Sequence, residues 1–449
     1  MPIQRPLYLI NERARAGPKT RGLLFAARRF ARREPLGTLL VLGCLWLLLP
    51  GFAPGEDVAP NPNTAATLDA RPVDGAEGRG NARSPDPRRA VPAAAARNLL
   101  EQVLLVADAE ARDEVRDALN VDDIASADLV REANRLVVTR EGAQYALSFD
   151  ATLQTKLSTW LEKKDPLRGA FVALDPRDGR VLAFVEHARK SAGVVHPALS
   201  ASPPSASVFK IFTSLALFTK APDYDLNDKV CYHGGFRGLR KGNIVDDKRR
   251  DTACVTLTNA FAKSTNAVFA KMAYRHLSLE DYEDLGETLG YDDARAPLPF
   301  PFDYEVGAFT LSEEPIERAR QAAGFWSSHL SPVQGALLAA VLANDGVLKT
   351  PWLVDEVARE GVQQYKAGEA EALRVLAPEP VQAVRSLMSD TGTKGTGRKY
   401  IGASRRLRTI GVPCKSGTLS GYKGDKTRYT WFVGFAPAEN PTIAFAAMI

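Results

Sequence analysis

Leu36 to Phe52 is an apolar run without a charge, placed directly behind Arg28, Arg29, Arg32 and Arg33. Such a run avoids water, and arginines before it stay on the cytoplasmic side. Everything that follows is therefore expected to fold on the far side of a membrane. Its 17 residues, from 36 to 52, are at the short end for a spanning helix. The segment also reads as a cleavable export signal ending near Gly51-Phe52-Ala53, but the long basic tail before it favours an uncleaved anchor.

That division organises the rest. A chain of 449 residues with 45% hydrophobic content can bury a sizeable core and suggests two or three units. The net charge of +5 does not point to nucleic acid: the first 34 residues hold nine Lys/Arg against two Glu, so the excess sets topology. The expected units are a basic cytoplasmic tail (1–35), a transmembrane anchor (36–53), a linker (54–93), a small α/β unit (94–148) and a large domain (149–449). The linker is rich in Pro, Ala, Gly, Asp and Arg, and lacks the apolar residues needed to offset the entropy of ordering. In the small unit, Asn98 to Leu105 predicts a helix. Arg135 to Thr139 and Tyr145 to Phe149 predict a hairpin turning at Glu141-Gly142.

Three short motifs in the large domain carry chemistry: Ser207-Val208-Phe209-Lys210, Ser264-Thr265-Asn266 and Lys415-Ser416-Gly417-Thr418. Residues i and i+3 of a helix share a face, so Lys210 reaches the Ser207 hydroxyl. A serine is a weak nucleophile until a base takes its proton, and a lysine is a base only where burial or a neighbouring cation depresses its pKa. Ser264 is placed to relay a proton, Asn266 to hold an amide, and Lys415 to supply a cation and attract a carboxylate. Thr418 adds a hydroxyl at the same end.

The ordered trio resembles the S-x-x-K, S-D-N and K-T-G set of penicillin-binding proteins and serine β-lactamases, here as S-T-N and K-S-G-T. The separations, 57 positions from Ser207 to Ser264 and 151 from Ser264 to Lys415, are similar to those of transpeptidase domains. Flanking stretches extend the likeness: Phe149 to Gln154, the hairpin Gly169 to Ala183, Leu330 to Gln334 and Tyr429 to Pro437. The resemblance implies an α+β fold, with a five-stranded antiparallel sheet flanked by helices plus an all-helical subdomain, preceded by the single transmembrane helix. It implies a D,D-transpeptidase that needs no cofactor or metal, acts on peptidoglycan stem peptides, takes β-lactams as covalent inhibitors and works beside other cell-wall synthesis proteins at the inner membrane, with its domain on the periplasmic side. By the same resemblance Ser207 is the nucleophile, Lys210 the base and Ser264 the relay, with Asn266 binding the acyl-side amide. Lys415, Ser416, Gly417 and Thr418 bind substrate, and the oxyanion hole comes from the N–H groups of Ser207 and Thr418. The family usually adds a final helix after the last strand, Thr442 to Ile449, so one sheet face is expected either to belong to a truncated sequence or to be covered otherwise.

Two other readings of the motifs stay open: hydrolysis of the same acyl-enzyme, as a carboxypeptidase or β-lactamase, and a penicillin sensor or divisome scaffold without turnover. Nothing in the sequence marks Glu313, Glu314 or Glu317 as the water-activating group of a β-lactamase. The five histidines lack a G-x-S-x-G elbow. Gly392 to Gly397 lacks the G-K-[S/T] ending of a phosphate loop and reads as a mobile loop near the site. Asp246 to Asp251 reads as a solvated charge run. Cys231 and Cys254 are either a disulfide or two free thiols.

Overall fold

The computed structural model describes residues 119–449, apart from 126–128, 133, 236–237, 292–297, 311, 326 and 421–426. The basic tail, anchor and linker and the helix expected at Asn98 to Leu105 lie outside the described residues. Among the described residues no helix is long and apolar enough to cross a membrane.

The described chain begins with a helical turn, α1 (Val121–Ala125), and a meander of β1 (Val130–Glu132), β2 (Arg135–Arg140) and β3 (Ala143–Leu147). Glu141 and Gly142 both have positive φ, 48° and 76°, and this left-handed pair gives the tight β2–β3 turn the twist of its strands. Helix α2 (Ala151–Lys164) follows; its cap, Asp150, accepts from the N–H groups of Thr152 and Leu153. Leu153, Leu157 and Leu161 recur every four residues, and this stripe is buried against the sheet that comes next. That sheet starts as the expected hairpin, β4 (Arg168–Leu174) and β5 (Val181–Ala188).

The helical part begins with α3 (Phe209–Lys220), buried from Phe209 through Phe218. A hairpin of β6 (Lys229–Tyr232) and β7 (Ala253–Thr256) is followed by α4 (Leu257–Ala262), α5 (Asn266–His276), α6 (Leu279–Thr288) and α7 (Pro315–Ala322). An aromatic cluster of Phe209, Phe212, Tyr282 and Phe309 fills the space between α3 and α6. Helix α8 (Pro332–Ala343) is buried all round, as its almost wholly apolar sequence requires of a core helix. The chain then forms β8 (Val347–Lys349), β9 (Val354–Arg359), β10 (Val362–Lys366), β11 (Ala372–Arg374), α9 (Pro378–Thr393) and α10 (Arg405–Ile410). It returns through β12 (Cys414–Ser420), β13 (Arg428–Ala436) and β14 (Ile443–Met448).

The central sheet is antiparallel with order β12-β13-β14-β4-β5, so the α+β architecture with a five-stranded sheet is present. Helix α8 packs on one face against β4, β13 and β14. On the other face Phe171, Phe432 and Phe445 stack with one another and bury against α2, Ile401 and Leu407. These residues cover the face that the sequence left open. A second sheet, β1-β2-β3-β9-β10, joins β3 directly to β9, with Tyr145 opposite Val357. The small N-terminal stretch and the large domain thus share a sheet across the boundary drawn at Phe149.

One open alternative is decided and one reading changes. Cys231 lies opposite Cys254 in the β6–β7 hairpin and the two form a disulfide. Asp246 to Asp251 is not simply solvated: Asp251, whose side chain is 6% exposed, accepts from His233 and pairs with Lys271, which is fully buried on α5. Burial alone would raise the Asp251 carboxyl, but the Asp247 N–H, Lys271 and His233 overturn it and hold the group well below the usual range. Charge runs of this kind look solvated in sequence because the partner lysine lies 20 residues on, across a helix.

Candidate active site

Ser207 lies in a 3-10 turn, Ala206–Val208, that runs straight into α3, and Lys210 stands in the first turn of that helix. The N-terminal end of a helix carries partial positive charge, which favours negative charge developing at Ser207 and disfavours a proton on Lys210. The turn is held from three sides. Ser205 is buried and bonded through its hydroxyl to Ser328 Oγ at 2.6 Å, so it is not a free nucleophile. Trp431 Nε1 of β13 donates to the Pro204 carbonyl at 2.9 Å, tying the turn to the central sheet. Gly417 of β12 lies so close that a Cβ there would sit 3.1 Å from Ser207 N, which explains the glycine in K-S-G-T.

Lys210 Nζ lies 3.0 Å from Ser207 Oγ, 2.9 Å from Asn266 Oδ1 and within hydrogen-bond distance of the Ala323 carbonyl. Oδ1 and the carbonyl only accept, so they take two N–H groups of a neutral amine. Its lone pair is left for the Ser207 hydroxyl, which donates to it. Lys210 is fully buried, and burial is the larger cause that pushes its pKa well below the ordinary lysine value; the charge of Lys415 is the second. Phe269 covers Lys210 with its ring centre 5.5 Å away, and Phe261 covers Lys415 at 5.6 Å. These rings exclude the water that would otherwise solvate the charged forms of the two lysines, which is the physical source of their lowered pKa values.

Ser264 and Asn266 come from the tight connection between α4 and α5. Ser264 has φ 57°, and Ala206, just before Ser207, has φ 50°. Such left-handed conformations cost about 1–3 kcal/mol each and persist only where packing over-determines them. Ala206 adjoins Ser207, and Ser264 lies two residues before Asn266. Lys415, fully buried on β12, donates to Ser264 Oγ at 3.0 Å and to the Ser416 carbonyl at 2.8 Å. Burial lowers its pKa to about 7. The neighbouring Cys414 thiol is pushed up to about 12 by burial, which makes it an inert core group. Ser207, Ser264, Asn266 and Ser416 are half-buried and Thr418 is exposed, so the lysines lie under a floor of polar groups that faces solvent.

The structure thus brings together residues from all three motifs. Lys210 links Ser207 to Asn266, Lys415 links Ser264 to β12, and Gly417 sets β12 against the Ser207 turn; Thr418 continues that strand. Sequence reading missed the Ala323 carbonyl. Its signal was the next residue: Gly324 has φ 81° and would place a Cβ 2.0 Å from the Ala206 carbonyl oxygen. It also missed Thr396, whose N–H donates to Ala262 and whose Oγ1 lies 2.6 Å from Ser416 Oγ. The Gly392 to Gly397 segment, expected as a mobile loop, is fastened by these bonds across α4 and β12, and by Gly397 N–H to the Thr391 carbonyl. Glu314 pairs with Lys241 and Glu317 with Arg320, away from these groups. Among the described residues no cluster of His, Cys, Asp and Glu suits a metal.

A five-stranded antiparallel sheet with a buried lysine beside a helix-start serine defines a class, and a model of the penicillin binding protein transpeptidase domain matches residues 169–449. The chain belongs to that family. It is 23% identical over 325 residues to the peptidoglycan D,D-transpeptidase PbpA of Mycobacterium tuberculosis, covering 63% of this chain and 62% of that protein. It is 26% identical over 326 residues to PbpA of Mycolicibacterium smegmatis, with 63% and 62% covered. The chain therefore spans under two thirds of the length of these relatives. The crystal structure of PBPA from Mycobacterium tuberculosis shares the fold, with a TM-score of 0.55 at 20% identity over 68% of this chain and 75% of that one.

Proposed function

We propose that this protein is a D,D-transpeptidase that cross-links peptidoglycan stem peptides through an acyl-enzyme on Ser207. The observation that carries the reading is the threefold contact of Lys210 Nζ with Ser207, Asn266 and the Ala323 carbonyl. The family, and relatives named as peptidoglycan D,D-transpeptidases, support it.

Ser207 Oγ attacks the carbonyl of the penultimate D-alanine as its proton passes to Lys210. The resulting oxyanion is bound by the N–H groups of Ser207 and Thr418, a contribution of about 2.7–4 kcal/mol per donor. Ser264, hydrogen-bonded to Lys415, relays to the departing amine of the terminal D-alanine the proton that Lys210 took, which leaves Lys210 neutral and Ser264 unchanged. Asn266 binds the acyl-side amide, and Lys415 and Thr418 attract the terminal carboxylate. The amine of a second stem peptide then attacks the ester and gives up its proton to the neutral Lys210, which returns it to Ser207 Oγ as the ester bond breaks. A β-lactam amide enters the same first step; a structural relative from Mycobacterium tuberculosis is described as an imipenem acyl-enzyme complex. The Leu36 to Phe52 run would tether the domain to the membrane, with residues 54 onward on the extracytoplasmic side, where the substrate lies.

Labelling with a fluorescent penicillin, followed by mass spectrometry of the acylated peptide, tests the assignment. The adduct is expected on Ser207, and Ser207→Ala should not label while keeping its fold by circular dichroism. An adduct on another residue, or labelling of Ser207→Ala at the wild-type rate, refutes it. Release of D-alanine with and without an acceptor amine separates transpeptidation from hydrolysis and from a non-turnover sensor.

A further inference from the structure

Between Lys394 and Lys415 the chain carries Lys394, Arg398, Lys399, Arg405, Arg406 and Arg408 and not one Asp or Glu. The nearest carboxylate before it, Asp390, is paired with Lys394. This is the strongest basic run after the N-terminal tail, and the acyl-transfer chemistry uses none of it. The structure folds the run into a cleft of about 730 Å³ lined by Thr393, Thr396, Arg398, Lys399, Arg408 and small residues. Arg398, Lys399 and Arg408 are exposed, and no acidic side chain lines the cleft. One wall of the cleft, Thr396, is hydrogen-bonded at 2.6 Å to Ser416 of the substrate-binding strand. One edge of the cleft is therefore hydrogen-bonded to the strand that carries Lys415 and Thr418, and Arg408 pins the cleft's turn by donating to the Gly402 carbonyl.

We propose that this cleft is an anion subsite for a side-chain carboxylate of the peptide bound in the groove, separate from the terminal carboxylate attracted by Lys415 and Thr418. A concave surface lined by one sign of charge raises the local concentration of the opposite sign. The hydrogen bond from Thr396 to Ser416 of β12 points to a group on the substrate peptide. The inference deepens the transpeptidase reading and rests on it.

The test uses the full-length protein and two synthetic peptides ending in D-Ala-D-Ala, identical except that one side-chain carboxylate is free in the first and amidated in the second. Wild type should show kcat/KM about five-fold higher for the free acid, the size of a solvent-exposed ion pair, and high salt should erase the difference. Arg398→Ala and Lys399→Ala together should make the two peptides equal while the rate of Ser207 acylation by penicillin stays at the wild-type value. Equal kcat/KM in wild type overturns the subsite, as does preference retained in the double variant or slowed penicillin acylation, which would mark a merely structural role. Turnover of neither peptide, with Ser207 still acylated by penicillin, refutes the transpeptidase reading instead. Protection of Ser207 from penicillin by the two peptides then reads the cleft by itself, with greater protection by the free acid expected and equal protection overturning it.

Discussion

Replacing Lys415 with methionine removes one charge from the centre of the site while nearly conserving volume in a fully buried slot. Two acceptors lose their donor: Ser264 Oγ at 3.0 Å and the Ser416 carbonyl at 2.8 Å. A charged hydrogen bond is worth about 1.5–3 kcal/mol, so mispositioning of Ser264 alone should slow acylation by about 10- to 150-fold. The pH profile carries a second signature. Lys210 must be neutral to accept the Ser207 proton, and its depressed pKa comes first from burial and then from the Lys415 charge. Removing that charge lets the Lys210 pKa rise, so the acidic limb of acylation should move to higher pH. Wild-type Lys415 itself loses its proton near pH 7, which should give a falling limb around that value, absent from Lys415→Met. Lys415→Arg keeps the charge on a wider, planar head and should retain part of the rate. Stopped-flow acylation by a chromogenic β-lactam from pH 5 to 9 measures all three quantities. A rate within three-fold of wild type in Lys415→Met, with neither limb displaced, would remove Lys415 from the reaction.

Gly324→Ala should lower stability by about 2 kcal/mol or more and slow acylation, because the new Cβ meets the Ala206 carbonyl at 2.0 Å at φ 81°; thermal unfolding that matches wild type would contradict this. Lys271→Met should cost about 3 kcal/mol in denaturant unfolding, since it takes the lysine from the nearly buried Asp251 and leaves it only His233 and the Asp247 N–H, and adding Asp251→Asn should recover part of the loss. The low Asp251 pKa gives a contribution that is present above the unfolded value near 3.9 and lost as pH falls through the folded one; Asp251→Asn should therefore flatten the acid side of the stability profile. Protease applied outside spheroplasts should remove the Ser207 domain and spare the first 34 residues; a soluble protein beginning near Pro54 would instead establish cleavage.

Local pattern was enough for what depends on near neighbours. The i, i+3 spacing put Lys210 on Ser207, the Glu141-Gly142 pair fixed a hairpin turn, and two apolar runs around Pro176 and Gly179 became β4 and β5. The ordered motifs carried the family and, with it, the antiparallel sheet. Contacts between distant stretches were not legible in the same way. The disulfide was undecided until β6 and β7 placed Cys231 opposite Cys254, and Asp251 looked solvated until α5 brought Lys271 beneath it. Thr396 and the Ala323 carbonyl belong to the site only because α9 ends against α4 and the α7 end packs under α3. The buried state of Lys210 and Lys415 is of the same kind. A sequence gives a lysine its position, but the pKa that makes it a base depends on how much water the phenylalanine rings, the sheet and the helices exclude, and only tertiary packing sets that.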